Sequence, residues 1–303
     1  MMRHPLAVHR HRLRAMGTSV ELIAGASEDE RTFALAAERV EGVFAREERR
    51  CSRFRDDSEI SIVNLRAGRP TPISPGLAEV VAFALDAAAR TGGRFDPTVL
   101  DAVVGAGYDR DFDEVLAGAR AALRPARPCG RWRDVRLEDG AVLLPEDVGL
   151  DLGGVAKGWA VDLAAAEAVG AGLTWVVVNA GGDLRLAGRP PSPGIDVGID
   201  DPESPDTEMF QLSLSHGALA TSSITRRAWG PDLHHLIDPS TGAPTSNGVL
   251  QATVWAPTCA EAEILAKDAL LLGEDSLDRT LGVLVLTDGR VLTNLADRTE
   301  AAA

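Results

Sequence analysis

The sequence predicts an α+β fold with irregularly mixed hairpins and helices. Asp139-Gly140 and Asp288-Gly289 each separate short apolar runs, the pattern of tight hairpins. Residues 174–179 form a continuous apolar run, as expected of a strand buried on both faces. Helical spacing recurs between the strands without the regular alternation of a doubly wound parallel sheet.

The elements follow in order. Residues 11–24 read as a strand interrupted at Met16-Gly17-Thr18, with Val20 and Leu22 turned inward. Residues 28–50 carry Phe33, Ala36, Val40, Val43 and Phe44 on one helical face. Ser58 suits the N-cap of a short helix ending at Leu65. Ser74-Pro75, a cap followed by proline in the first turn, opens a helix that reaches Arg90 and stops at Gly92-Gly93. Phe95-Asp96-Pro97-Thr98 is a loop, residues 111–122 a helix and residues 132–144 a hairpin. An Ala-rich helix runs from Lys157 to Val169, stopped by Gly170 and Gly172. Strands are predicted over residues 194–199, 210–215, 218–221 and 249–256, with a polar loop over 234–244. Thr258 caps a helix that continues to Leu272 and ends at Gly273. The organisation is one domain over residues 12–297, with room for two subdomains. A flexible tail over 1–11 and a frayed end over 298–303 flank it.

Bulk properties narrow the function. The 303 residues support a sizeable core. A net charge of -14 argues against nucleic acid or an anionic membrane surface as partner. No apolar run is long enough to span a bilayer. Cys51, Cys129 and Cys259 are too scattered for a zinc site or a disulfide framework. The basic N-terminal stretch lacks the apolar core of a secretory signal. The expectation is a soluble, cytoplasmic protein.

The most informative stretch is 149–188. Asp151 is followed by Gly153-Gly154, which remove two side chains where backbone bends or meets a ligand closely. Lys157 then stands in the first turn of a helix, an arrangement suited to a phosphate or pyrophosphate. Asn179-Ala180-Gly181-Gly182-Asp183 offers a second place for close approach. Neither Rossmann nor Walker spacing is present. Taken alone, these features point only to an anionic ligand.

With Met16-Gly17-Thr18, Ser52-Arg53-Phe54, Ser58-Glu59-Ile60, Phe95-Asp96-Pro97-Thr98, residues 152–158, 179–183 and 235–244 all in view, the chain resembles the ApbE family of FAD:protein FMN transferases. The resemblance runs from about residue 12 to residue 295 and implies the ApbE-like fold, with a flavin-binding cleft. It also implies a reaction: FAD is split with the help of Mg2+, FMN passes to a serine or threonine hydroxyl of an acceptor flavoprotein, and AMP leaves. Some members hydrolyse FAD instead. The matching positions make Met16, Phe54, Arg94, Phe95, Asp96, Asp151, Lys157, Asp183 and Ile237 the expected FAD contacts. Gly154 matches a position whose carbonyl binds the metal. His235 and Asp238, in the loop His235-Leu236-Ile237-Asp238-Pro239, are candidates for a base and its orienting group on chemical grounds.

The chain departs from the family pattern at the metal. Where the family has an aspartate and, four residues on, a threonine, this chain has Glu263 and Lys267. Lysine supplies no oxygen ligand for Mg2+. The expectation is that Lys267, held by Glu263, partly replaces the metal electrostatically. Transfer without metal, slower FAD hydrolysis, and FAD binding without chemistry are its possible outcomes. The alternative is an exposed surface pair with the metal held elsewhere. Ser223 also stands where the family has glycine, and Arg226 and Arg227 add positive charge nearby.

Overall fold

An eight-stranded antiparallel sheet carries the molecule, and its strands neighbour one another in chain order. The computed structural model describes residues 7–118, 123–204, 207–230 and 232–295. The strands are β1 (Val8–Ala15), β2 (Thr18–Gly25), β3 (Trp175–Ala180), β4 (Asp183–Gly188), β5 (Gly217–Ser223), β6 (Val249–Ala256), β7 (Leu281–Leu286) and β8 (Val291–Thr293). The helices are α1 (Glu30–Cys51), α2 (Glu59–Leu65), α3 (Pro75–Arg90), α4 (Leu100–Gly105), α5 (Phe112–Ala117), α6 (Ala156–Gly170) and α7 (Cys259–Leu272). The α+β expectation holds.

The interrupted first strand is a hairpin. Ala15 pairs with Thr18 across Met16 and Gly17, which have φ of 50° and 67°. Positive φ at both central residues matches the right-handed twist of the flanking strands. Strand β1 begins at Val8, paired with Gly25, so the tail expected over residues 1–11 is corrected: positions 8–11 gain ladder hydrogen bonds. The expected frayed end, 298–303, lies outside the described residues.

Helices α1, α6 and α7 cover one face of the sheet. Val176 and Val178 of β3 join Ala160, Val161, Ala164 and Ala165 of α6 in this core. The alternate residues Trp175 and Val177 face the other side and meet Leu184, Leu186 and Leu214. There a hairpin of Ile195–Asp200 and Glu208–Leu214 packs on the sheet. Strand β3 is thus buried on both faces. The small residues of α6 let helices approach closely. A Cβ on Gly158 would lie 2.6 Å from the carbonyl oxygen of Cys259. Asp162 of α6 accepts hydrogen bonds from Cys259 N at 2.8 Å and Ala260 N at 2.9 Å, capping α7 from its neighbour.

A second core gathers α2, α3, the ribbon of Thr71–Pro72, Arg136–Glu138 and Ala141–Leu143, and the segment leading into α6. Ser58, Ser74 and Thr258 accept from Ser61 N, Leu77 N and Glu261 N, so the three expected caps are present. The hairpin around Asp139-Gly140 is shorter than 132–144, because Trp132–Asp134 winds into a 3-10 turn. Helix α5 ends at Ala117, and positions 119–122 of the longer expected helix lie outside the described residues.

Candidate active site

Two adjoining clefts open between the cores. The first, of about 330 Å³, is lined by Met16, Phe54, Phe95, Tyr108 and Asp151 among others. The second, of about 1240 Å³, runs past Asp183, Thr221 and Ser222 beneath the outer hairpin. Gly17, Gly153, Lys157, Arg227, His235 and Lys267 line both and form the wall between them.

That wall is built from distant segments. Lys157, in the first turn of α6, bonds Asp183 at the start of β4 and meets Glu263 Oε1 of α7 at 2.6 Å. Glu263 Oε2 accepts from Gly158 N at 2.8 Å. Lys267, one turn along α7, lies 3.2 Å from Glu263 Oε1. Asp183 Oδ1 also accepts from Thr221 N at 3.3 Å. Burial opposes the Lys157 ammonium, but Asp183 and Glu263 outweigh it and push its pKa up. Burial likewise opposes the Glu263 carboxylate, and Lys157 and then Lys267 bring its pKa well below the usual range. For Lys267 burial wins: its pKa is lowered despite Glu263.

The arrangement does not fit a divalent metal. Both Glu263 oxygens are engaged, one by two ammoniums and one by a backbone N–H. Lys267 also takes up the space beside Gly154: its Cε would lie 3.1 Å from a Cβ added there. The expected metal pair of Gly154 and Glu263 is therefore corrected to an ammonium site. The surface-pair alternative also fails, because Glu263 is 1% exposed and Lys267 14% on their side chains.

The first cleft is an aromatic slot. Phe54 and Tyr108 have centroids 5.5 Å apart, and the Arg53 guanidinium lies 4.1 Å over the first ring and 4.6 Å over the second. Asp151 holds Arg53 through Oδ2 at 3.0 Å, while its Oδ1 accepts from Gly153 N at 2.7 Å. Phe54 is 39% exposed, leaving an aromatic face at the cleft mouth. Arg94 reaches Asp268 Oδ1 at 2.7 Å, which fixes it at the cleft wall. The Phe95-Asp96 loop is pinned from both ends. Thr91 Oγ1 accepts from Phe95 N, and Asp96 Oδ1 accepts from Thr98 N at 2.8 Å and Thr98 Oγ1 at 2.5 Å. Burial raises the Asp96 pKa against those bonds.

Among the described residues, three buried polar atoms on this cleft have no protein partner: Arg53 Nη2, Asp96 Oδ2 and His235 Nδ1. Such groups carry a cost of about 1–3 kcal/mol each unless a ligand or water satisfies them. His235 has its pKa pushed well below the ordinary value, first by burial and then by Arg227 and Lys267.

The structure brings Met16, Phe54, Arg94, Phe95, Asp96, Asp151, Lys157, Ile237, His235, Lys267 and Gly154 to the first cleft and Asp183 to the second. Asp238 is not with them. Its Oδ1 accepts from Ser240 N at 2.8 Å and Ser240 Oγ at 2.7 Å, so it closes a turn instead of orienting His235. Arg53, Tyr108 and Arg227 were not assigned as contacts from sequence. Tyr108 is the chain's single tyrosine, the one signal that could have drawn notice to it.

Fold and site together define an α+β protein with a two-chambered cleft divided by a cationic wall. The chain belongs to the ApbE family, which it matches over residues 16–283. It is 31% identical over 221 residues to the FAD:protein FMN transferase of Rhodobacter capsulatus, covering 71% of this chain and 42% of that protein. With the proteins of that name from Vibrio cholerae and Treponema pallidum it shares 30% identity. Those matches cover 74% and 78% of this chain, and 69% and 71% of theirs. The crystal structure of the ApbE protein from Thermotoga maritima superposes with a TM-score of 0.84 at 24% identity, covering 96% of this chain and 98% of that one. The flavin transferase ApbE from Vibrio cholerae gives 0.80 at 23%, covering 97% and 99%. These two structures share the fold.

Proposed function

We propose that this protein cleaves FAD and transfers FMN to a serine or threonine hydroxyl of an acceptor protein, releasing AMP. The observation that carries the reading is the set of three unpartnered polar atoms beside an aromatic slot and a cationic wall. A flat heteroaromatic ring with N–H and C=O edges would cover Phe54 and satisfy Asp96 Oδ2 and Arg53 Nη2. A diphosphate joined to that ring would meet Lys157, Lys267 and Arg227. The relatives' shared name supports FAD as the molecule with both parts.

In the transfer, the acceptor oxygen bonds to the phosphorus on the riboflavin side. The bond from that phosphorus to the bridging oxygen breaks, and the bridging oxygen leaves on AMP. The hydroxyl proton passes to His235, which burial first and then the cations Arg227 and Lys267 keep neutral and free to accept it. The cations of the wall stabilise the charge that develops on the phosphoryl and leaving oxygens. Mg2+ is assigned no step, since the residues beside Glu263 do not fit it.

The acceptor, with its Ser/Thr site, is taken to be a protein of the cytoplasm. The three free cysteines, two of them buried, support a reducing compartment. Among the described residues no helix is long and apolar enough to cross a membrane. The test incubates the protein with FAD and a Ser/Thr acceptor peptide and reads flavin fluorescence on a denaturing gel. Labelled peptide with equimolar AMP is expected. FMN and AMP without labelling would make it an FAD pyrophosphatase, and FAD retained intact would make it a binding protein.

A further inference from the structure

We propose that the Lys267 ammonium is a built-in counter-charge for the diphosphate, so that this site binds FAD without a divalent cation. The inference rests on the FAD reading above and adds how the diphosphate is held. Its first support is an imbalance of partners. Among the described residues Lys157 has two carboxylates, Asp183 and Glu263, whereas Lys267 has only a share of Glu263 Oε1 and a long contact of 3.4 Å to the Glu263 carbonyl. A buried ammonium with half a counter-ion, on the wall of two clefts, is a site for an anion.

The second support is the local sum of charge. Arg227 lines both clefts with the two lysines, and its field reaches Lys157 and His235. At the wall itself Lys157, Lys267 and Arg227 stand with the carboxylates of Asp183 and Glu263, both of them occupied, while Glu48, Asp96, Asp111 and Asp151 line the first cleft elsewhere. A divalent cation entering here would meet three like charges and find no free carboxylate oxygen on Glu263. A diphosphate dianion would supply the missing negative charge. Third, Lys267 is fixed: its stem runs past Gly154 and Phe95, where a Cβ on residue 154 would lie 3.1 Å from Lys267 Cε and 3.2 Å from a Phe95 ring carbon. A positioned ammonium loses less freedom on binding than a surface lysine does.

The test is FAD titration of the full chain, followed by flavin fluorescence, in chelator and in excess Mg2+. The wild type is expected to bind equally in both. Lys267→Met is expected to weaken binding in chelator by about ten- to a hundredfold, the scale of losing one charge-assisted contact in a partly buried site. Glu263 keeps Lys157 and Gly158 N in this variant, so the fold should persist, as its melting temperature would show. A saturable Mg2+ requirement in the wild type overturns the proposal whether or not the variant folds. So does unchanged affinity in a folded Lys267→Met protein. Metal-free, Lys267-dependent FAD binding with no labelled acceptor would sustain this inference and sink the transferase reading alone. No FAD binding under either condition overturns both.

Discussion

Met16 occupies left-handed backbone, a conformation that costs a side-chain-bearing residue about 1–2 kcal/mol. Its N–H donates to Glu48 Oε1 at 3.1 Å, which helps to hold the turn. The residue packs against both cores and lines the first cleft, so local strain coincides with the site. His235 shows the same priority of site over stability. Its folded pKa, like that of His234, lies below 6.5, so the unfolded chain takes up protons first as pH falls. The stability that these two histidines contribute by staying neutral is therefore full above about pH 6.5 and declines below it. Urea midpoints at about pH 8 and about pH 5.5 should separate in the wild type, and separate less in His235→Gln. Equal separation in the two proteins would show that His235 is not buried neutral.

At the scale of elements, the tie between α6 and α7 decides whether the cationic wall exists. Asp162 caps α7, and Gly158 lets the two backbones meet. Asp162→Ala should cost about 1–2 kcal/mol through the lost cap, read as a lowered urea midpoint. It should also weaken FAD binding, because Glu263 and Lys267 ride on α7. The elements themselves were legible where the signal was local. Ser58, Ser74 and Thr258 announce caps, and Asp139-Gly140 and Asp288-Gly289 announce turns, through bonds to backbone a few residues away. Helix α4 has no side-chain cap and spans six residues, too short to show a helical repeat, so the sequence gives little sign of it.

Across the whole molecule, the site was only partly legible. The bonds from Lys157 to Asp183 and Glu263 span 26 and 106 residues, distances at which one sequence carries no pairing signal of its own. Resemblance to a family supplied the candidate positions, while the structure supplied their partners. The chemistry of His235 and Asp238 makes them candidates for a base and its orienting group. Local turn chemistry took Asp238 instead, because an Asp side chain reaches the N–H two residues on more readily than a distant imidazole.

One feature of the sheet bears on how the molecule behaves in company. Among the described residues β1 pairs on one side only, and its exposed rim carries Arg10, Arg12 and Arg14. Arg10 and Arg12 are anchored to Glu21 at 3.1 Å and 2.9 Å, and Arg14 bonds Asp113 at 2.6 Å. A second molecule offering the same strand would bring these guanidinium rows face to face, and the repulsion would block a continuous intermolecular sheet. Replacing Arg10 and Arg12 by threonine keeps the strand propensity but removes this guard. Sedimentation at rising concentration should then reveal self-association in the variant and none through this edge in the parent. The arginines would thus act as a crowd barrier, letting an otherwise acidic protein accumulate to high concentration without joining edge to edge in pairs.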